Sequence, residues 1–475
     1  MTTMPSQLID GVWEDGDSSL EVTNPADGST VGHVAWGGPE DAHRAADAAA
    51  RAFGEWSDLP ARRRSDILLE AARLIAERAD DLGALLAREA GKRLPEAVGE
   101  LAFSAEYFRW FAEQARRPSG QVIPHEAGDR RHVTVRRPVG VVASLTPWNF
   151  PCSIQARKLA PALASGCTVV ARVSEKAPLA ATEMIRALAD AGVPAGVVNL
   201  VHGPAREVTQ ALLDHTAVRA VTFTGSTPVG REIMASAARR VVRPLLELGG
   251  DAAFVVLEDA DLDAAVEGAL LAKFRNTGQS CIAANRFIVH EDVHDAFVER
   301  LVARVDVMSI GDGLAQECPD LGPVIDSTRV DAVNSLVDEA ISLGATRLTQ
   351  QRVLPATGTF VAPTLLGDVP DTAGIATEEV FGPAGGVFRF RDIDEAVARA
   401  NRTEMGLAAY VWSRDISRCW RTAERLEAGI VGVNNALPSV AFAPMGGVKQ
   451  SGLGREGADL GLEEFEDVRY LSLGL

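Results

Sequence analysis

The chain has 475 residues, 47% of them hydrophobic and 24% charged, which suits a globular protein of about two or three domains rather than one compact core. A net charge of −18 disfavours nonspecific binding to nucleic acid or to an anionic membrane. Five scattered cysteines without CxxC spacing, no basic and apolar leader, and no apolar run of bilayer length set aside a disulfide framework, secretion and membrane insertion, so a cytoplasmic location is expected.

Residues 1–35 read as short strands and turns, with turn signals at Asn24-Pro25 and Asp27-Gly28. Residues 39–90 are rich in Ala, Arg and Leu at helical spacing. Within them 67–91 reads as one amphipathic run that Gly91 caps, and another helix is expected from about 95 to 115. Residues 116–138 turn basic, polar and β-prone; a hairpin leaving the body and a surface loop are equal readings. From 139 the chain alternates between strand and helix, with strands expected at 139–147, 167–173, 197–203 and 218–225 and a helix at 181–192. The alternation returns from 252 to about 430, which implies two α/β domains in tandem, each with a parallel sheet. The tail, 465–475, reads as a strand that can add to a sheet edge.

Four segments carry a chemical reading. Cys281, after Gly278, Gln279 and Ser280, stands in a polar loop where a thiol nucleophile can act; a buried structural cysteine is the alternative. Glu247 lies between leucines and before two glycines, where burial would raise its pKa and make it a general base; pairing with an arginine is the alternative. Asn149, between Pro147 and Pro151, is either a turn residue or an oxyanion donor. The segment 223–230 is a strand end, a Gly-Ser-Thr turn and a helix start; such a helix N-terminus suits a pyrophosphate, although the G-x-G-x-x-G pattern is absent.

TPWNFP (146–151), FTGST (223–227), LELGG (246–250), GQSC (278–281) and EEVFGP (378–383) occur in one order, and with them the chain resembles the aldehyde dehydrogenase superfamily over essentially its whole length. The resemblance implies that Cys281 is the nucleophile, Glu247 the general base and Asn149 an oxyanion donor, with Lys158 and Glu456 in a proton relay. It implies a nicotinamide dinucleotide, NAD with NADP as the alternative, along Thr146, Pro147, Trp148, Arg172, Ser174, Glu175, Gly203, Gly225, Ser226, Leu248, Glu379 and Phe381, and no metal. Of these, Ser226 would meet the pyrophosphate, Glu379 the nicotinamide ribose with Phe381 beside it, and Glu175 the adenosine ribose. Arg172 and Val173 stand where the family usually has lysine and proline, and Arg and Lys are not equivalent donors.

The implied fold is α/β: a Rossmann-like cofactor domain (1–116 and 138–249), a catalytic domain (250–460), and a small β oligomerisation element (117–137 and 461–475). A homodimer or homotetramer follows from it. Segments 96–117 and 434–457 resemble the succinate-semialdehyde dehydrogenases most closely. In that group two arginines and a serine bind the distal carboxylate, and the matching positions are Arg157, Arg275 and Ser439. Structural ion pairs are the alternative for the arginines. The rival substrates are glutarate semialdehyde or an apolar aldehyde, and the rival of another class is a non-enzymatic family member.

Overall fold

The computed structural model describes residues 6–16, 18–117 and 119–474. The expected segments therefore run past the described residues at Met1–Pro5, Asp17, Pro118 and Leu475.

Two parallel sheets face each other end to end. In the first, Val141–Leu145 is flanked by Thr168–Arg172 and then Val198–Leu200 on one side, and by Val218–Thr224 and then Arg243–Glu247 on the other. This is a doubly wound order, with its switch point between Val141–Leu145 and Val218–Thr224; ligands bind in the crevice at the carboxyl ends of such strands. Antiparallel strands close both edges: Gly452–Leu453 beside Arg243–Glu247, and Gln7–Ile9 with Val12–Glu14 beyond Val198–Leu200. The strand at 452–453 shows the chain returning to the first sheet after completing the second.

The second sheet runs Thr346–Arg347, Thr364–Gly367, Ala384–Phe390, Ala284–His290, Ala252–Val256, Ala408–Trp412 and Ile430–Val433, all parallel but the first. Its strand Ala252–Val256 begins just after strand Arg243–Glu247 of the first sheet ends. Glu247 closes one strand and Ala252 opens the next, so the junction lies between carboxyl ends above and amino ends below.

The run read as one helix over 67–91 is two, Ala61–Glu77 and Ala79–Ala90, broken at Arg78. Asp80 and Asp81 fall in the first turn of the second helix, where carboxylates favour the positive end of a helix dipole and so a fresh start. Gly91 caps it in the left-handed conformation, φ 68°. Helix Leu94–Gln114 buries Tyr107, Phe108 and Phe111 against its neighbours, each ring contributing about 2 kcal/mol. Every one of the fifteen residues of helix Pro151–Ser165 is buried, including Arg157 and Lys158.

Residues 116–138 resolve to the hairpin reading. Gln121–Pro124 and Arg130–Pro138 pair antiparallel, and Glu466–Gly474 adds along the second of them from Glu466 opposite Pro138 to Gly474 opposite Arg130. No described helix is long and apolar enough to cross a membrane.

Candidate active site

Cys281 is half-buried where two cavities meet. The chain reaches it from helix Leu262–Phe274 through a turn in which Asn276, Thr277 and Gly278 are all left-handed (φ 52°, 54° and 75°). Such a backbone costs about 1–3 kcal/mol at each non-glycine residue, the more so at β-branched Thr277. Its neighbours hold it there. The Asn276 N–H donates to Glu96 Oε2 (3.0 Å), Thr277 Oγ1 donates to the Gly322 carbonyl (3.1 Å), and Gln279 Oε1 accepts the Ile325 N–H (2.9 Å). A Cβ at Gly278 would meet the Gly382 carbonyl oxygen at 2.2 Å, so the GQSC loop can pack on EEVFGP only with glycine here. Tyr410 donates to the Ile282 carbonyl at 2.7 Å and anchors the other side of the cysteine.

Glu247 ends its strand 1% exposed. The Cys281 thiol is near enough to act on the carboxylate, yet neither oxygen has a partner at hydrogen-bonding geometry among the described residues. Burial raises the Glu247 pKa, and the nearby Glu456 charge raises it further. Burial also pushes the Cys281 thiol up, followed by the charge of Glu247. Each group is thus biased toward its neutral form.

Lys158 Nζ contacts Glu456 Oε1 at 2.5 Å and donates to Thr222 Oγ1 at 3.0 Å. Arg157 Nη1 lies 3.4 Å from Glu456 Oε2 and 2.6 Å from Met445 Sδ. Asn149 Nδ2 donates to the Gln279 carbonyl at 3.2 Å, while its Oδ1 is buried without a partner.

The first cavity, ≈ 470 Å³, brings Arg157, Arg275 and Ser439 together with Cys281. Phe103, Phe150, Ile154 and Val440 make its apolar wall. Arg275 stacks its guanidinium over the Phe150 ring at 5.0 Å and forms no ion pair among the described residues, whereas Arg157 is shared with Glu456. The alternative of a structural ion pair therefore applies to Arg157 and not to Arg275.

The second cavity, ≈ 200 Å³, opens at the switch point and is lined by Pro147, Trp148, Asn149, Gly225, Ser226, Leu248, Glu379 and Phe381. Ser226 is the N-cap of helix Thr227–Ala238, but its side chain makes no capping bond, and Thr224 Oγ1 is buried without a partner among the described residues. Glu379 accepts the Gly250 N–H at 3.0 Å, and burial raises its pKa to about 7. Phe381 (φ 48°) meets Trp148 edge to face at 5.4 Å. Free helix amides, an uncommitted hydroxyl and a carboxylate beyond them fit a pyrophosphate followed by a ribose.

Thr146, Arg172, Ser174, Glu175 and Gly203 form a separate group on the far side of Val141–Leu145. Arg172 Nη2 bonds Glu175 Oε2 (2.5 Å) and the Gly203 carbonyl (3.1 Å), its own carbonyl accepts the Thr146 N–H (3.1 Å), and Ser174 Oγ accepts the Lys176 N–H (3.4 Å). A Cβ at Gly203 would come 2.8 Å from the Gly37 carbonyl oxygen, so packing against residue 37 already explains that glycine. Sequence reasoning missed Lys92, Glu96, Glu100, Asn276 and Gln279, all hydrogen-bonded around the Asn149 and Cys281 loops. Only Asn-Thr-Gly at 276–278 carried a usable turn signal. Among the described residues no cluster of His, Cys, Asp and Glu could hold a metal ion.

The family model described as the aldehyde dehydrogenase family matches residues 13–471. A glutarate-semialdehyde dehydrogenase of Pseudomonas putida is 45% identical over 98% of this chain and 97% of its own. An NADP(+) succinate-semialdehyde dehydrogenase of Escherichia coli is 44% identical over 98% and 97%. A crystal structure described as an E. coli NADP-dependent enzyme superposes with a TM-score of 0.98 at 43% identity, covering 100% of this chain and 98% of that one.

Proposed function

The chain belongs to the aldehyde dehydrogenase family, and from that membership we propose that it oxidises succinate semialdehyde to succinate through a thioester on Cys281. The observation that carries the reading is the position of Cys281 between a cavity lined by Arg157, Arg275 and Ser439 and a cavity lined by Trp148, Ser226 and Glu379. The first suits a short aldehyde with a distal carboxylate, which guanidinium groups bind by charge and forked donors. The second suits the nicotinamide end of a dinucleotide, with Ser226 at the pyrophosphate, Glu379 at the ribose, and Arg172 and Glu175 toward the adenosine.

In this mechanism Cys281 loses its proton to solvent, and its thiolate sulfur attacks the aldehyde carbon. The oxyanion that forms is met by Asn149 Nδ2 and the Cys281 N–H. A bound nicotinamide supplies acceptance of the hydride that leaves the same carbon, which makes a thioester. Glu247 then takes a proton from water, whose hydroxide opens the thioester and expels the thiolate. Glu456, next to Glu247 and held by Lys158, offers that proton a way out.

The P. putida relative supports glutarate semialdehyde as a second reading. Its extra methylene is worth about 0.8 kcal/mol against the wall of Phe103, Phe150 and Ile154. Either dinucleotide fits the family. We favour NAD, because Glu175 would oppose a 2′-phosphate, although Arg172 offsets part of that charge. A homo-oligomer is supported by the exposed apolar residues of the three-stranded sheet, and a cytoplasmic location by five free cysteines.

The test is reduction of both dinucleotides with succinate semialdehyde, glutarate semialdehyde and butanal. Succinate semialdehyde should lead, and Cys281→Ala should turn over none of the three. Equal specificity constants for succinate semialdehyde and butanal would refute the carboxylate pocket.

A further inference from the structure

Behind Asn149 lies a buried ion pair that the proposed chemistry does not use. Lys92 follows the left-handed cap at Gly91 and is 2% exposed. Its ammonium donates to the Glu100 carboxylate and to the main-chain carbonyl of Asn149 (2.9 Å), and sits 4.1 Å from the centroid of the Phe150 ring. Glu100 Oε1 accepts the N–H groups of Cys152 (3.0 Å) and Ser153 (3.2 Å), in the first turn of helix Pro151–Ser165. A carboxylate is favoured there by the helix dipole and by amides that have no partner within the helix.

The pair therefore grips one short loop at both ends. Its cation holds the carbonyl at 149, and its anion holds the amides at 152 and 153. Asn276 Nδ2 adds a second donor to the Asn149 carbonyl at 2.9 Å. Among the described residues the side chain of Asn149 has one bond, to the Gln279 carbonyl, so the direction of its Nδ2 depends on how its own peptide is set. A buried ion pair is a weak source of stability compared with apolar residues of the same size, and its worth here is geometric.

We propose that Lys92 and Glu100 are positioning residues for the oxyanion donor: they orient the Asn149 peptide so that Nδ2 meets the developing charge. This rests on the reading of Asn149 as that donor. Because an oxyanion contact is made in the transition state, its loss lowers kcat and leaves KM and dinucleotide binding nearly unchanged.

The test is a double-mutant cycle on the full chain with bound dinucleotide, combining Lys92→Met with Asn149→Ala. Lys92→Met leaves Glu100 unpaired, so Lys92→Met/Glu100→Gln is made in parallel, and the melting temperature and dinucleotide Kd are measured for each. Lys92→Met should lower kcat about a hundredfold, the scale expected when a catalytic contact is displaced by an ångström. In the Asn149→Ala background the same change should cost less than about twofold, because it then has nothing to act through. An undiminished loss in that background, a Lys92→Met/Glu100→Gln enzyme with wild-type kcat, or failure of both Lys92 variants to fold would each overturn the inference while leaving Asn149 as the donor. If Asn149→Ala alone keeps its kcat, the oxyanion reading fails and the inference fails with it.

Discussion

Cys281 and Glu247 are each held toward neutrality by burial, Cys281 further by the Glu247 charge and Glu247 further by the Glu456 charge. The pH dependence follows. A base with a raised pKa stays protonated to higher pH, so kcat should fall, as pH drops, above the usual carboxylate range. Removing the Glu456 charge takes away the second cause of the shift and unmasks Lys158 and Arg157, both of which lower the Glu247 pKa. The acid limb of kcat in Glu456→Gln should therefore lie at lower pH than in the wild type. In Glu247→Gln that limb should vanish, and a burst of reduced dinucleotide should precede slow turnover, because an amide takes no proton from water. Unchanged steady-state turnover in Glu247→Gln, measured by stopped flow across pH, would exclude it as the base.

At the scale of elements, the turn Arg275–Gly278 does two things at once. It aims the proposed nucleophile, and it puts the Arg275 guanidinium, which has no ion pair among the described residues, into the proposed substrate cavity. Arg275→Ala should lower kcat/KM for succinate semialdehyde roughly ten- to a hundredfold, since a hydrogen bond to a charged group is worth about 1.5–3 kcal/mol. Butanal should be scarcely affected; an equal loss for both would mean damage to the turn. At the end of strand Thr168–Arg172 lies the Arg172–Glu175 pair, which we propose sets the preference between dinucleotides. Glu175→Ala leaves the guanidinium unpaired, so the ratio of kcat/KM for NADP to that for NAD should rise by about tenfold. A fall in that ratio would show that Glu175 does not face the adenosine ribose. These elements were largely legible beforehand: the strands fell where apolar runs met turn residues, and Ser226 opened its helix. The left-handed run at 276–278 was not, because Asn276 and Gly278 signal only a turn and nothing local favours β-branched Thr277 in that conformation. Their conformation is set by Glu96, Gly322 and Gly382, which lie far away in sequence.

Over the whole molecule, two sheets meet carboxyl end to amino end, and the three-stranded sheet of Gln121–Pro124, Arg130–Pro138 and Glu466–Gly474 stands apart. That sheet exposes Val122, Ile123, Val468, Tyr470, Leu471 and Leu473, an apolar surface of the kind that marks an interface. If it joins subunits, Val468→Asp should shift the mass found by light scattering toward the monomer while the single-chain fold keeps its circular dichroism. An unchanged mass would assign the assembly to another face.

Sequence alone determined the family, the α/β alternation and the order of the chemical segments, because periodicity and turn residues act over short range and the motifs are contiguous. Glu247 at a strand end before two glycines, Asn149 between prolines and Cys281 in a polar loop were all visible in that way. What only the tertiary structure decided is which groups share a space. Arg157 and Lys158 are adjacent in sequence on one buried helix, yet both turn to Glu456, about three hundred residues on. Arg275 has no ion pair among the described residues, and Lys92 and Glu100, unremarkable in the sequence, close around Asn149. A charge buried in a low-dielectric interior must find its partner wherever the fold brings one, and local sequence holds no record of that meeting.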